Sequence, residues 1–543
     1  MIHHVRAVFS VFIGAVLLAG CALHPGSVDR VRLASDLTRP VVSTPAGDLR
    51  GIDGDGVRAF LGVPYATPPV GDLRWRAPRP VPAWEGVRDA SRIGSDCTQA
   101  LGRRAILGGG GGLVFGGEDC LYLNIYAPAG EPTTPRPVMV FLHGGAFTIG
   151  AGANYDPSLL AVEQDRVVVT LNFRLGALGW LAHPGFAADG EGDTPGVGGN
   201  WGLMDQQAAL HWVHQNIAAF GGDPGDLTLF AESSGAWSAC YLMAAPSSAG
   251  LWSRVILQSG PCLEPSSLND ASVAAEAGPE FAKLLGCEGP DAVACLRAKP
   301  NGAIAKTRST RSGLNGPGSW GPVFGDGLVP VSPAKAFAAG DFIRTPVIVG
   351  TNADEGRLFA VEVKDMERYN DETHWMYGDE GPRVLSHYPV GPEGPGLTMA
   401  RSFTDQRFAC PSDALRRLLA RHVPVHGYEF VDPAPPIVVP RFLLPYDMGA
   451  YHASELTYVF GRPWAFASPA RFTPEQAALA RRMRDAWAGF GHDPAFEAGW
   501  PRVSERGTPI RAFDPAGDRA DDGFFDRHQC AMWDGSAFGA VTR

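Results

Sequence analysis

A serine between small residues is the first candidate for chemistry in this sequence. Ser233 follows the apolar run 227–230, has Ala231 and Gly235 two positions away on either side, and precedes a stretch that favours a helix. A small-x-Ser-x-Gly turn from strand to helix is typical of a nucleophile elbow, which lifts the serine hydroxyl above a sheet. The flanking residues must be small because the strand and helix backbones pass closely. An ordinary turn is the alternative interpretation of the pentapeptide alone.

A second segment supplies what a serine nucleophile needs. The apolar run 138–142 leads into residues 143–147, which read HGGAF. The N–H groups of such a loop, with the N–H of the residue after the nucleophile, form an oxyanion hole for a tetrahedral intermediate. A glycine-rich turn that only closes a strand is the alternative for this loop by itself. The loop and the elbow in this order predict acyl-transfer chemistry on Ser233.

The elements that must position these residues follow from the hydrophobic pattern. Short apolar runs without polar alternation predict strands buried on both faces, at 138–142, 167–172, 227–230, 255–257 and 347–350. Helical patterns such as 205–219 lie between them. Strands that alternate with helices predict an α/β fold with a mostly parallel central sheet flanked by helices. The glycine run 108–112 lacks a following Gly-Lys-Ser/Thr, so we predict a surface loop there and no phosphate site.

Composition and charge bound the remaining possibilities. Of the 543 residues, 45% are apolar, which is enough for a sizeable core, and no linker-like stretch follows residue 45. We therefore predict one catalytic domain over 41–535 with large insertions. The 46 basic and 57 acidic residues give a net charge of −11 without any basic run. Nucleic acid is disfavoured as a partner because its phosphates would be repelled.

The first forty residues predict export and a lipid anchor. A weakly basic start precedes an apolar stretch, which matches a signal peptide over 1–20 and is short for a membrane span. The sequence then reads Leu18-Ala19-Gly20-Cys21, which resembles a bacterial lipoprotein box with Cys21 as the lipidated residue. Residues 21–40 would form a tether, and the protein would be anchored in the cell envelope. Secretion without an anchor is the alternative.

Several long motifs resemble those of the type-B carboxylesterases, the cholinesterase-like branch of the α/β-hydrolases. In chain order they are 60–66 (FLGVPYA), 68–71 (PPVG), 118–124 (EDCLYLN), 200–206 (NWGLMDQ), 220–224 (FGGDP) and 258–260 (QSG). The resemblance covers roughly residues 40–535. It implies the α/β-hydrolase fold with large insertions, and the hydrolysis of small-molecule carboxylic esters without a metal or cofactor.

The resemblance also implies the rest of the catalytic machinery. Segment 350–356 (GTNADEG) matches the family motif that carries the triad acid, which nominates Glu355. A His-x-x-Glu stretch matches at 452–455 and nominates His452 as the base. The chain order Ser, Glu, His agrees with that fold. By the same correspondence, the oxyanion donors are the N–H groups of Gly145, Ala146 and Ser234. The last two depart from the family's usual glycine and alanine, which backbone donors tolerate.

Eight cysteines other than Cys21 remain in a chain predicted to be exported, where disulfides can form. The residues alone leave the connectivity open, although the short, turn-rich loop between Cys287 and Cys295 favours local closure. We expect Cys240 and Cys262 to be small buried residues. The resemblance implies the disulfides Cys97–Cys120 and Cys287–Cys295, with Cys410–Cys530 as a candidate third whose pairing stays open. It also implies the salt bridges Arg74–Glu118 and Arg174–Asp205.

Other functions of the same fold remain as alternatives. Lipases and acyltransferases acting on longer-chain lipids share the triad, but no long amphipathic lid is evident, so an esterase is favoured. A non-catalytic adhesion or binding protein is disfavoured because all three triad residues are present. A cholinesterase is disfavoured because the 97–120 loop lacks the Trp whose face would bind a quaternary ammonium. Candidates for an acyl or alcohol pocket, with core packing as the alternative, are Trp320, Leu358 and Phe359.

Overall fold

A computed structural model describes most of the chain. The described residues are 39–101, 112–187, 196–263, 269–307, 320–464, 466–493, 496, 499–505 and 509–534. The predicted signal peptide and the lipid anchor at Cys21 lie outside them. The described residues form two compact units, which we call unit 1 (39–253 with 269–332) and unit 2 (254–263 with 333–534). One catalytic domain over 41–535 stays a prediction.

A mixed sheet forms the centre of unit 1. The strands of this unit are β1 Val41–Thr44, β2 Gly47–Arg50, β3 Ile52–Gly54, β4 Val57–Pro64, β5 Val87–Asp89, β6 Gln99–Leu101, β7 Leu113–Phe115, β8 Tyr122–Pro128, β9 Arg136–Leu142, β10 Val167–Leu171 and β11 Gly222–Glu232. The sheet runs in the order β11–β9–β10–β8–β4–β3. β9 pairs in parallel with β10 and β11, whereas β8 is antiparallel to β10 and β4. The residues of β10 are fully buried, as expected of a valine-rich strand inside a covered sheet.

Helices alternate with these strands. In unit 1 they are Ser158–Glu163, Gly176–Trp180, Pro184–Ala187, Trp201–Asn216, Ser234–Met243, Ala271–Glu276, Gly278–Leu284, Ala292–Ala298 and Asn301–Lys306. The helix Trp201–Asn216 covers most of the helical pattern predicted at 205–219, and its Leu210 and Val213 are fully buried. No helix among the described residues combines the length and apolar character needed to cross a membrane.

Unit 2 is built on a mostly parallel sheet. Its strands are β12 Arg254–Gln258, β13 Val347–Asn352, β14 Val425–Phe430, β15 Ile510–Phe513 and β16 Arg519–Asp521. β12 to β15 are parallel neighbours, and β16 pairs antiparallel with β15. The α-helices are Pro333–Ala339, Met366–Tyr377, Gly381–His387, Pro395–Phe403, Cys410–Leu419, Leu456–Phe460, Pro474–Gly489, Phe524–Arg527 and Cys530–Trp533. A π-helical turn, Thr404–Ala409, joins two of them.

The predicted strands coincide with β9, β10, β11, β12 and β13, and the α/β class is confirmed. The antiparallel strands before β9 were not among those predicted. One cause is visible at the β3–β4 connection, where Asp55 and Gly56 both have positive φ (53° and 79°). A two-residue turn of that kind joins antiparallel neighbours and leaves no room for a crossover helix.

The covalent and ionic pairs implied by the resemblance are present. Disulfides join Cys97 to Cys120, Cys287 to Cys295, and Cys410 to Cys530. The salt bridges Arg74–Glu118 and Arg174–Asp205 are also formed. The preference for free, unpaired cysteines at Cys240 and Cys262 was wrong, because both are disulfide-bonded. Both are also buried, so burial does not distinguish a free cysteine from a paired one.

Candidate active site

Ser233 lies at a sharp turn in unit 1. β11 ends at Glu232, the helix Ser234–Met243 begins after Ser233, and Ser233 itself has φ 54° and ψ −126°. Such a conformation costs a non-glycine residue about 1–3 kcal/mol, and this kind of strain is concentrated at functional sites. Gly235 is required because a Cβ there would collide with the carbonyl oxygens of Leu142 and His143. The close passage of strand and helix gives the geometry of a nucleophile elbow.

The loop that follows β9 lies against this turn. A Cβ on Gly144 would come within 2.8 Å of the Ser233 Cβ and would also meet the Glu232 carboxylate, so only glycine permits the approach. The next three residues, Gly145, Ala146 and Phe147, have φ of 115°, 53° and 62°. In the part of the chain that the structure describes, the N–H groups of Gly145 and Ala146 donate no hydrogen bond. Two backbone donors beside the serine are therefore open to a ligand.

The side chain of Ser234 connects the loop to the elbow. Its Oγ accepts a hydrogen bond from the N–H of Phe147 at 3.3 Å. Its own N–H belongs to the first residue of the helix Ser234–Met243, where backbone donors have no partner within the helix and the helix dipole is positive. The serine that replaces the family's usual alanine therefore has a structural role, and its N–H stays suited to an anion.

Uncharged contacts also hold the loop that follows β9. Gly150 donates to the Oε1 of Gln99 at 2.9 Å, and the Nε2 of Gln99 donates to the Gly150 carbonyl at 3.0 Å. The His143 ring stacks on Phe173 with centroids 4.3 Å apart. Burial lowers the pKa of His143 to about 4, so the ring is neutral at ordinary pH. These contacts hold the loop without using a charge.

Glu355 and His452 form a buried pair in unit 2. Glu355 follows β13, is fully buried, and places its Oε2 2.6 Å from the Nδ1 of His452. Its Oε1 accepts from the hydroxyl of Thr351 at 2.8 Å and from the N–H of Asn352 at 2.7 Å. Because the carboxylate accepts at Nδ1, the proton of neutral His452 resides there, and Nε2 is the basic nitrogen.

Aromatic rings fix the plane of the imidazole. The centroid of His452 lies 5.1 Å from that of Phe359 and 4.9 Å from that of Phe408. Phe359 was one of three candidates for a substrate pocket, and here it contacts the predicted base. Of the other two, Leu358 is half-buried in unit 2, whereas Trp320 packs on Phe281 in unit 1.

A second carboxyl group lies near the pair, and the sequence analysis assigned it no role. Glu455 is fully buried, and it accepts from the Nδ2 of Asn352 at 2.6 Å and from the Nε2 of Gln258 at 3.1 Å. Burial, followed by repulsion from Glu355, raises the pKa of Glu455 to about 7. The signal was present, because Glu455 is the acid of the His-x-x-Glu stretch. With that pKa, Glu455 is expected to change protonation near neutral pH, beside the Glu355–His452 pair.

The two units contain complementary chemical groups. Unit 1 has a hydroxyl on a strained turn beside open N–H donors, which is what attack on an acyl carbon and stabilisation of the oxyanion require. Unit 2 has an imidazole oriented by a carboxylate, which is the arrangement that general-base catalysis requires. Among the described residues, no group of three or more His, Cys, Asp or Glu side chains could hold a metal ion.

Comparison with known proteins identifies the class. The chain belongs to the carboxylesterase family, whose model matches residues 38–533. It is a carboxylic ester hydrolase of the type-B, cholinesterase-like branch, with the α/β-hydrolase fold, and the family, fold and enzyme class predicted from the motifs are confirmed.

Individual relatives extend over nearly the whole chain. It is 34% identical over 518 residues to a fumonisin B1 esterase of Sphingopyxis macrogoltabida, covering 92% of this chain and 91% of that protein. It is 34% identical over 489 residues to a para-nitrobenzyl esterase of Bacillus subtilis (strain 168), covering 86% and 94%. A solved PNB esterase superposes with a TM-score of 0.75 at 32% identity, covering 91% of this chain and 100% of that one.

Proposed function

We propose that this esterase works through an acyl-enzyme intermediate on Ser233, with His452 as general base and Glu355 as the acid of the triad. The observation that carries the proposal is the 2.6 Å contact between the Oε2 of Glu355 and the Nδ1 of His452. A fully buried carboxylate that directs both oxygens to fixed donors has the role of orienting an imidazole. The strained turn at Ser233 and the open N–H groups beside it support the assignment of the nucleophile.

The proposed reaction has two symmetrical halves. The Nε2 of His452 takes the proton of Ser233 as the hydroxyl oxygen bonds to the ester carbon, and the imidazolium then protonates the leaving alkoxide. Water attacks the acyl-enzyme with the same base, and Ser233 leaves with the returned proton. Glu355 stays ionised and stabilises the imidazolium in both halves. The negative charge on the carbonyl oxygen is met by the N–H groups of Gly145, Ala146 and Ser234.

The substrates are small-molecule esters, as they are for the relatives. Those relatives are named for different compounds, and they include acylcarnitine hydrolases and cocaine esterases. Enzymes dominate the similar proteins reported above, which argues against a non-catalytic adhesion or binding role. Hydrolysis of longer-chain lipids, or acyl transfer to an acceptor other than water, is the alternative for the same triad. A screen of acyl-chain lengths, with and without an added alcohol acceptor, separates these three activities.

A fluorophosphonate probe tests the nucleophile directly. We expect wild-type protein to be labelled on Ser233 and to lose activity, and Ser233→Ala to be neither labelled nor active while remaining folded. Ser259 provides a control, because it is likewise a serine at positive φ (50°), although it is fully buried whereas Ser233 is half-buried. Ser259→Ala should keep both labelling and activity. Labelling that persists in Ser233→Ala would refute the assignment.

We also propose that the protein is exported and held in the cell envelope by a lipid on Cys21. The proposal rests on the apolar leader and the Leu-Ala-Gly-Cys sequence, both outside the described residues. In the native host the full chain should partition with membranes, and Cys21→Ser should release or mislocalise it. Equal partitioning of the two proteins would contradict the anchor.

A further inference from the structure

A buried group of charges in unit 2 lies outside the proposed triad. The His528 side chain is almost inaccessible, with Nδ1 2.7 Å from the Oδ1 of Asp405 and Nε2 2.7 Å from the Oε1 of Glu429. Both ring nitrogens therefore face carboxylate oxygens, and both must donate for the two contacts to be hydrogen bonds. The ring is therefore an imidazolium, with both nitrogens protonated, between two carboxylates.

The surrounding groups complete the cluster. Arg527 binds both Glu429 and Asp521, and the Tyr388 hydroxyl donates to the Oδ2 of Asp405 at 2.9 Å. At longer range, Arg401 attracts the carboxylate of Asp405, and Arg416 attracts that of Glu429. Asp354 interacts electrostatically with both His528 and Glu429. Burial opposes the charge on His528, but the hydrogen bonds to the two carboxylates outweigh it and raise the pKa of His528 to about 9.

Asp405 connects this cluster to the neighbourhood of the dyad. It lies in the π-helical turn Thr404–Ala409, which also carries two contacts in the direction of Glu355 and His452. The hydroxyl of Thr404 accepts from the N–H of Gly356, the residue after Glu355, at 2.9 Å. The ring of Phe408 packs on His452 with centroids 4.9 Å apart. One turn of helix therefore joins the buried charges to both members of the dyad.

The shape of this turn makes it responsive to its anchors. π-helical turns are rare because the backbone is less well packed than in an α-helix, and they occur often at functional sites. The turn needs outside support to hold Phe408 at a fixed distance from the imidazole. Thr404 supplies one anchor, and Asp405 supplies the other through His528.

We propose that His528 is a positioning residue for the catalytic base: as the cation between Asp405 and Glu429, it holds the π-helical turn that places Phe408 against the ring of His452. The inference rests on the proposed role of His452. Loss of the charge would leave two buried carboxylates around a neutral ring, which repel each other and release the turn. The imidazole would then be less well oriented for proton transfer, whereas substrate binding would be little affected.

The test is the pH profile of kcat and KM on one activated ester, measured for wild-type protein and three variants. We expect kcat of the wild type to fall above about pH 9 while the protein stays folded by circular dichroism. His528→Gln should lower kcat by about tenfold to a hundredfold at neutral pH, with KM within about threefold, because a displacement near 1 Å has an effect of that size. His528→Arg, which keeps a permanent cation, should retain more of the rate and lose the fall near pH 9.

His426→Gln is the matched control, because His426 is equally buried in unit 2 but packs among Phe490, Phe496 and Trp500. Its kcat profile should follow that of the wild type. Arg407 is another group that could cause the fall in kcat above pH 9, since burial lowers its pKa to about 9. If kcat of His528→Arg still falls above pH 9, the titration belongs to a different group and the inference is overturned.

Two results keep this inference separate from the proposed function. If the wild type hydrolyses esters through a labelled Ser233 but His528→Gln keeps full kcat, only the role of His528 is refuted. If Ser233 proves unnecessary, the proposed function itself fails. Where His528→Gln does not fold, the wild-type profile decides, because a kcat that is constant from pH 7 to 10 in folded protein overturns the proposal.

Discussion

The two units hold their functional groups by different physical means. In unit 1, Ala146, Phe147 and Ser233 are non-glycine residues at positive φ, kept there by close backbone passages in which Gly144 and Gly235 have no room for a side chain. In unit 2, the groups are fixed by buried carboxylates and the donors around them. The geometry in unit 1 depends on the absence of side-chain atoms at the close approaches, and the geometry in unit 2 depends on the charge of the carboxylates. Substitutions that add atoms should therefore be most harmful in unit 1, and changes of protonation should act through unit 2.

The titration behaviour of the two regions follows the same division. His143, the histidine behind the oxyanion loop, has a pKa lowered to about 4 by burial, and it stays neutral over the working range. In unit 2, Glu455 and His528 have pKa values raised to about 7 and about 9, each for the causes given above. The backbone donors of unit 1 do not titrate at all. The pH response of the enzyme is thus expected to come from unit 2.

The largest effect should come from removing the proposed base, His452. His452→Ala should lower kcat/KM by about 10⁴-fold or more, because loss of one triad member disables the unit. Steady-state kinetics on an activated ester measures the change, with the exposed His374→Ala as a control that should behave like the wild type. A His452→Ala enzyme that kept most of its rate would place the base elsewhere and remove the contrast between the units.

A smaller effect is expected from one added methyl group in unit 1. Gly144→Ala would push the loop away from Ser233, and a displacement near 1 Å lowers kcat by about a hundredfold. The loss should persist across the pH range in which Glu455 and His528 titrate, because a steric displacement of the loop does not depend on their protonation. Gly302→Ala in a helix of the same unit is the control, since its Cβ would meet only Val114 at 3.6 Å. A loss that disappears at one end of that pH range would contradict the steric account.

The smallest effect concerns stability. The pKa of Glu455 is raised from 4.5 to about 7, so between these pH values folded protein holds a proton that the unfolded chain has released. Stability due to this group is complete below pH 4.5 and is lost as pH rises through 7, by at most about 3 kcal/mol. Glu455→Gln should therefore flatten the decrease in Tm between pH 5 and pH 8. The exposed Glu367→Gln should leave that decrease unchanged. Equal slopes in all three proteins would show that Glu455 is not the titrating group.

Local patterns predicted the strands and the turn at Ser233, because uninterrupted apolar runs and small flanking residues are properties of short segments. The charged network of unit 2 was harder to foresee. Glu455 stood in a recognised motif, but its raised pKa depends on burial and on Glu355, which is 100 positions away in the sequence. The π-helical turn Thr404–Ala409 has no recognisable sequence period of its own. Spatial neighbours, and not sequence neighbours, determine both features.

Cysteine pairing and the departure at Ser234 show the same limit. A cysteine surrounded by apolar residues looks alike whether it is paired or free, which is why Cys240 and Cys262 were misjudged. Ser234 looked like a deviation from the family pattern, and its reason is a hydrogen bond to a loop that lies 87 positions away. Resemblance to the family located the residues, and the folded chain explains why their side chains differ.

The disulfide between Cys410 and Cys530 has a consequence for the order of events during synthesis. It spans 120 residues, and the enclosed segment includes β14 and His452. A ribosome releases the chain from its N-terminus, so the elbow of unit 1 is available long before Cys530 exists. The bond can form only after Cys530 has emerged. The turn at Ser233 would then be present early, whereas the segment that carries His452 would be closed by its disulfide only when the chain is nearly complete.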